Sequence, residues 1–507
     1  MKFKHYLYIC TFDIKIFNKY IQIELVAVAS IKQQALSGIK WNSVAKITTD
    51  LLSVVQLMIV ARYIDKADFG TMSIIHVVLG MVGMFTDLGM YAAMMHKQNI
   101  TNDQYNSIYW FNWILNASIF VLVCLAAYPI ALFYNDVNLT HLICLAALGV
   151  LLAPFGKIFY TIKQKNLEFS FISKVGIIGN ALVFISTVLF CLLGFGIYAL
   201  ILPVLIRGAF TAIVFSIAGR KQFRIAWHFN MAEIKDFFKI GIYDTGAQLM
   251  DYISYKIDVL LIGRLFGLEV LGLYNMGKEL ALKVMKMLNP IVSSVATPIL
   301  SKLQNEPDKI KLNYSRILSF LTTINFPVLF ALFVFAEPVV NIFFSDKYAD
   351  AAVFVRILSI WGMFATIGNP AGNLVIAKGR TDLSFKWTII RFCSAPVAIY
   401  FASLFNVEAV AYSQVILQFI FFFIYWKMMI YPLSDLNLRE YIGSFSRPFL
   451  CGLIAIIPAL IYAYYVTLPV EFVYLIVGCV IFSVIYLVST WFINKPIVTF
   501  LKSLLKK

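Results

Sequence analysis

Gly263-Arg264-Leu265-Phe266-Gly267-Leu268-Glu269-Val270-Leu271-Gly272 answers Ala61-Arg62-Tyr63-Ile64-Asp65-Lys66-Ala67-Asp68-Phe69-Gly70 at a distance of 202 residues, placing Arg264 on Arg62 and Gly272 on Gly70. Under the same shift Asn42, Lys46, Thr49, Ser53 and Gln56 fall on Asp244, Gln248, Asp251, Tyr255 and Asp258. Farther on, at a slightly longer shift, Glu168-Phe169-Ser170-Phe171 matches Asp382-Leu383-Ser384-Phe385. A repeat of this length, inside a chain built of apolar runs, implies two halves of equal helix number in the same orientation. Six spans per half satisfy that condition, because an even number returns the chain to its starting side.

The composition sets the solvent. Of 507 residues 61% are hydrophobic and 13% charged, and the mean hydropathy is +0.83. Soluble globular chains sit nearer half apolar and a quarter charged. Apolar runs fall at roughly 40–62, 69–92, 107–133, 140–162, 172–193 and 196–217, then at about 239–263, 272–298, 314–336, 352–377, 384–404, 407–430, 447–467 and 470–492. Each approaches the roughly 20 residues that cross a bilayer, so about 14 transmembrane helices are expected in an all-α polytopic membrane protein. Pro154, Pro203, Pro290, Pro327, Pro370 and Pro396 lie within these runs, where kinks are tolerated in membrane helices.

The organisation read from this pattern is an N-terminal cytoplasmic or interfacial extension over 1–36 and a six-helix lobe over 37–218. A basic cytoplasmic linker over 219–238 leads to a second six-helix lobe over 239–430. Two extra C-terminal helices with a basic tail occupy 431–507. The extension carries Lys2, Lys4, Asp13, Lys15, Lys19 and Glu24 among its apolar residues, which interrupts the continuous core that a signal peptide requires.

The net charge of +16 would suggest nucleic acid in a soluble protein. Here the cations concentrate in alternate short loops. One set holds Lys97, Lys163, Lys165, Arg220, Lys221, Arg224, Lys235, Lys302, Lys309, Lys311, Lys378, Arg380, Lys386 and Arg439; the other has little beyond Arg62, Lys66, Arg264 and Lys347. The positive-inside rule puts the first set and both termini in the cytoplasm of an inner-membrane protein and leaves no role for nucleic acid. The seven cysteines form no CxxC pair and the five histidines no ligand spacing, so no metal or cofactor is expected.

Charges at bilayer depth identify the candidate site, because facing lipid costs each at least a few kcal/mol. Asp244, Gln248, Asp251, Tyr255 and Asp258 share one face of the seventh span, and Asn275, Glu279, Lys283 and Lys286 share one face of the eighth. The first span repeats the pattern with Lys46 and Gln56, and Asp87 lies in the second. One reading is that Asp251 and Asp258 pair with Lys283 or Lys286 and lock helices together. A stripe in both halves exceeds what pairing needs and implies a wet cavity, with Asp244, Gln248, Asp251, Asp258 and Asp87 as ion-coupling candidates and Lys46, Gln56, Glu279, Lys283 and Lys286 as substrate-binding candidates. Lys157 and Arg391 join the latter as possible diphosphate ligands, against the plainer account of snorkelling positive-inside residues.

These segments also carry a resemblance. Ala35-Leu36-Ser37-Gly38-Ile39-Lys40-Trp41, Ala61-Arg62-Tyr63-Ile64, Asp68-Phe69-Gly70 and Phe85-Thr86-Asp87-Leu88-Gly89 are similar to the polysaccharide transporter family of Wzx-type lipopolysaccharide and teichuronic acid flippases. Asp258-Val259-Leu260-Leu261-Ile262-Gly263-Arg264, Gly272-Leu273-Tyr274 and Gly379-Arg380-Thr381-Asp382 extend it to the chain from about residue 31 onward. The resemblance implies the MOP exporter fold, two lobes forming a V plus two extra helices. It also implies an undecaprenyl-diphosphate-linked oligosaccharide as cargo, alternating access driven by a Na⁺ or H⁺ gradient, and membrane lipids and other polysaccharide assembly proteins as partners. A multidrug exporter of the same superfamily is the alternative. A membrane polymerase fits less well, since no outer loop exceeds about fifteen residues.

Overall fold

The computed structural model describes residues 41, 45–46, 48–97, 100–220, 223–466 and 469–499; it is helical throughout, with no strand among them. The 1–36 extension and Asn42 lie outside these residues.

The chain begins with α1, helical over 48–63, followed by α2 (Lys66–Phe85) and the short α3 (Met90–His96). Next come α4 (Asn102–Tyr134), α5 (Asn138–Lys165), α6 (Phe169–Leu192) and α7 (Tyr198–Gly219). The second stretch comprises α8 (Met231–Leu265), α9 (Leu268–Lys302), α10 (Pro307–Val334), α11 (Ala336–Phe344), α12 (Ala351–Ala377), α13 (Thr381–Ser403) and α14 (Val407–Tyr425). After a five-residue π segment at Trp426–Ile430 and the single turn α15 (Tyr431–Ser434), α16 (Leu438–Tyr465) and α17 (Glu471–Ile493) close the chain.

Ten helices among the described residues are long and apolar enough to cross a membrane: α2, α4, α5, α6, α7, α10, α12, α14 with its continuation to Ser434, α16 and α17. The protein is thus a multi-pass membrane protein. The expected spans at 239–263, 272–298 and 384–404 fall on α8, α9 and α13, whose charges keep them below that apolar standard. All six singled-out prolines sit inside helices.

Helix ends follow local chemistry. Thr101 and Gln104 form a capping box at the start of α4, and the Asn406 side chain accepts the Ala409 N–H at 2.7 Å to start α14. Between α8 and α9 the turn is Phe266-Gly267, with Gly267 at φ +87°, a conformation that costs glycine little.

Within each stretch the main packing pairs are α4 on α5, α5 on α7 and α6 on α7, then α9 on α12, α10 on α12 and α16, and α8 on α13. The two stretches meet chiefly where α2 lies along α9. There the repeat becomes physical. A Cβ on Gly70 would fall on the Leu268 carbonyl oxygen, and one on Gly272 would fall on that of Lys66. Leu268 is the repeat equivalent of Lys66, so the two contacts are one contact seen twice about a local pseudo-twofold axis. Only glycine lets backbones approach this closely.

One expected span is shorter than its apolar run. The run 69–92 breaks at Phe85, and Asp87 lies in the turn that follows, with Leu88 at φ +47° and Gly89 at φ +73°. The Asp87 carboxylate accepts the Gly89 N–H at 2.9 Å, an Asx-type turn that competes with the helix. Asn116 of α4 donates to the freed Thr86 carbonyl at 2.8 Å. Asp87 is therefore a turn-former outside the cavities described below.

Candidate functional site

The central cavity lies between α1 and α2 on one side and α9 on the other, with a volume of about 590 Å³. It receives Lys46 from the residues just before α1, Asp50, Ser53 and Gln56 from α1, Ser73 and His76 from α2, and Asn275, Glu279, Lys283 and Lys286 from α9. The stripes read from helical spacing on the first and eighth spans thus face one another across a single space.

Its charges are partly matched. Lys46 binds Asp50 of α1, four residues on, at 2.7 Å, and Lys286 binds Glu279 at 3.1 Å. Lys283 makes no hydrogen bond or ion pair among the described residues. Among the described residues three lysines against two carboxylates give the cavity lining one excess positive charge. Gln56 also donates to Thr187 of α6 at 3.1 Å, which fixes the face of α1 turned to the cavity.

One end of this cavity is sealed. The Ile64 carbonyl, in the α1–α2 turn, accepts bonds from the Tyr348 hydroxyl and the Lys347 ammonium, both at 2.6 Å. Lys66 lies 3.4 Å from Asp350 and 3.6 Å from Glu269. These contacts and the Gly70–Gly272 crossing occupy the end where Phe69 and Phe344 line the cavity; Lys46, Lys283 and Lys286 lie toward the other end.

The acidic face of α8 is placed differently from the expectation. Asp251 lines a second cavity, of about 360 Å³, within the later helices, together with Tyr255, Lys278, Trp361, Trp387 and Arg391. Its carboxylate accepts Arg391 at 2.9 Å and remains half exposed. Asp258 is fully buried and held by Lys278 and the Tyr274 hydroxyl, both at 2.5 Å, with Lys278 over the Tyr255 ring. Neither aspartate reaches Lys283 or Lys286, because α9 turns two faces to two cavities. Lys278, Leu282 and Met285 look one way; Asn275, Glu279, Lys283 and Lys286 look the other. Gln248 is exposed and lines neither cavity, and the Asp244 side chain lies outside the described residues.

Lys157 and Arg391, expected to act together, are apart: Lys157 lines a third cavity, between α5, α6 and α7. Sequence reading missed Lys278, His76 and Arg207. Lys278 and Arg207 each stand as a charge inside an apolar stretch, the same signal that picked out Asp251.

A family model described as "Polysaccharide biosynthesis protein" matches residues 59–353. The chain is 28% identical over 443 residues to the lipopolysaccharide biosynthesis protein WzxC of Escherichia coli (strain K12), covering 86% of this chain and 88% of that protein. With the teichuronic acid biosynthesis protein TuaB of Bacillus subtilis (strain 168) it shares 29% identity over 427 residues, 83% of this chain and 87% of the relative. Among solved structures, the lipid II flippase MurJ in an inward closed conformation superposes with a TM-score of 0.70 at 15% identity, over 90% of this chain and all of that one. An inward-facing multidrug resistance MATE transporter of the MOP superfamily gives 0.58 at 14% identity, over 81% and 98%. At these identities the structural likeness shows the fold. The match over more than half of the chain shows the family: this protein belongs to the polysaccharide biosynthesis protein family.

Proposed function

We propose that the protein flips oligosaccharides linked to undecaprenyl diphosphate across the bacterial inner membrane, by alternating access through the central cavity. The observation that carries this reading is Lys283, unpaired among the described residues, in a cavity whose described lining is net positive and whose Phe69–Phe344 end is closed by the contacts above. A cation in excess of its counter-charges is costly at bilayer depth and becomes favourable when an anion arrives. A diphosphate supplies several acceptors for charge-assisted bonds to Lys283 and, by exchange, to Lys286 and Lys46. The names of the relatives, which speak of lipopolysaccharide and teichuronic acid biosynthesis, support a glycan as the cargo.

In this reading fourteen spans form two six-helix lobes and two added helices, with both termini cytoplasmic. The sealed end, built from the loops around Arg62, Arg264 and Lys347, is periplasmic, and the lysine-bearing end opens to the cytoplasm where the cargo is loaded. Ion coupling belongs to Asp251 in preference to Asp258. Asp251 is half exposed and paired with one arginine, while Asp258 is already saturated by Lys278 and Tyr274. A cation that displaced Arg391 from Asp251 would act only by favouring one conformation over the other.

The test is loss and rescue. Deletion of the protein should leave complete lipid-linked repeat units on the cytoplasmic leaflet, and the wild-type chain should clear them. Lys283→Gln, at equal membrane abundance, should reduce clearance at least about tenfold, the equivalent of one charge-assisted bond. Full rescue by Lys283→Gln would remove the central cavity from the mechanism.

A further inference from the structure

We infer that the third cavity, within the α5–α6–α7 bundle, is a separate binding site for a phosphate-bearing group. The inference deepens the reading above and rests on the cargo carrying phosphate. The cavity measures about 490 Å³ and is lined by Lys157 and Tyr160 of α5, Gly176 of α6, and Arg207 and Thr211 of α7. Arg207 lies near the middle of α7, at bilayer depth, in a helix that is otherwise long and apolar enough to span. Neither its guanidinium nor the Lys157 ammonium has a hydrogen-bond or ion-pair partner among the described residues, and no carboxylate there lines the space. Lys157 is attended only by the faces of Tyr91 and Tyr160, at 5.6 and 5.7 Å. Two uncompensated cations sharing one intramembrane space repel each other and lack counter-charge. An anion with several oxygens removes both costs at once, and a guanidinium fork suits phosphate in particular.

The walls agree with an occupant. A Cβ added at Gly176 would meet nothing within 4 Å, so this wall is left bare beside the cations. The position agrees too. Leu200 and Val204 of α7 line the central cavity, and Arg207 and Thr211 continue the same face toward the Gly219 end. One face of α7 therefore borders both cavities in turn, and the α7 site lies nearer the end opposite the seal.

The full chain in phosphatidylcholine nanodiscs, free of anionic lipid, is titrated with inorganic diphosphate and with geranyl diphosphate. Two saturable sites are expected. Arg207→Gln, Lys157→Gln and the space-filling Gly176→Leu should each weaken one of them at least tenfold and leave the other; Lys283→Gln should do the converse. Arg207→Lys, which keeps the charge, should retain that site and exclude misfolding as the cause. If the three bundle variants leave all binding unchanged while Lys283→Gln abolishes it, this inference falls and the central-cavity reading stands. Loss only in the bundle variants supports the inference and overturns the central cavity as a phosphate site. No binding of either probe overturns both. Equal affinity for the two probes identifies free phosphate compounds as the source of the ligand, and tighter geranyl diphosphate identifies a lipid headgroup.

Discussion

Asp258 shows how far a single residue can be read from its neighbours in sequence. Its spacing from Asp251 and Tyr255 located it correctly on a polar helix face, and its charge correctly implied a partner inside the bundle. The partner was not legible: Lys278 and Lys283 both lie on α9, and only the rotation of that helix decides which one Asp258 meets. The resulting pair has no solvent and little slack, since Lys278 Nζ and the Tyr274 hydroxyl share one carboxylate oxygen. Breaking such a pair by removing one charge leaves the other uncompensated. We therefore expect Asp258→Asn to destabilise the protein by about 3–5 kcal/mol, and Asp258→Asn with Lys278→Met to recover much of that loss. Thermal unfolding in detergent measures both. Equal stability of Asp258→Asn and wild type would show that the carboxylate is not holding α8 to α9. Asp87 fails for the opposite reason: its charge was read as a membrane feature, whereas a short acidic side chain two residues before a glycine forms a turn.

Among the elements, α2 and α9 carry the contact on which the seal depends. Gly272→Ala would drive a methyl group into the Lys66 carbonyl, and backbone cannot move aside as a side chain can. Overpacking of this kind costs about 1–3 kcal/mol, charged only to the sealed state. The open-outside population should rise by roughly tenfold for each 1.4 kcal/mol. Labelling of Ser73→Cys, which lies in the cavity beside the seal, by an impermeant reagent on intact spheroplasts reads this shift. Unchanged labelling with Gly272→Ala would mean that the crossing does not limit opening.

The segment before α8 is an element in its own right, not a slack tether. Trp227 stacks on Trp110 of α4 at 4.0 Å, Asn106 accepts the Ala226 N–H at 2.8 Å, and Ser107 donates to Glu233 at 2.7 Å. His228 completes the latch by bonding Glu233 at 3.0 Å, which raises the imidazole above its ordinary value. The Ser107 hydroxyl and then His228 hold the Glu233 carboxyl below its own ordinary value. The histidine contribution is complete below the ordinary imidazole value and is lost as pH rises through the raised one. The glutamate contribution is complete above the ordinary carboxyl value and is lost as pH falls through the lowered one. The latch should therefore be tightest between about pH 4.5 and 6.5. Proteolysis at the exposed Arg224 across this range tests it, and His228→Gln should flatten the alkaline side of the profile.

At the scale of the whole molecule, topology is the first prediction to check. Asn135→Cys and Ser345→Cys lie in the α4–α5 and α11–α12 turns, on the side of the seal. Both should react with an impermeant thiol reagent on intact spheroplasts, and protection of both would invert the orientation given by the loop charges. The sequence by itself determined the membrane class and the family. The class follows from composition and apolar run length, and the family from the resemblance of short segments along the chain; both survive whatever the neighbouring helix does. Which charges meet was decided only by tertiary structure. A helical stripe defines a face but not what it faces, and α9 presents charged groups on two. Its rotation gives Lys278 to Asp258 and leaves Lys283 unpaired in the central cavity. The packing of α5, α6 and α7 likewise gathers Lys157 and Arg207, 50 residues apart in sequence, around one space that neither residue's local pattern could announce.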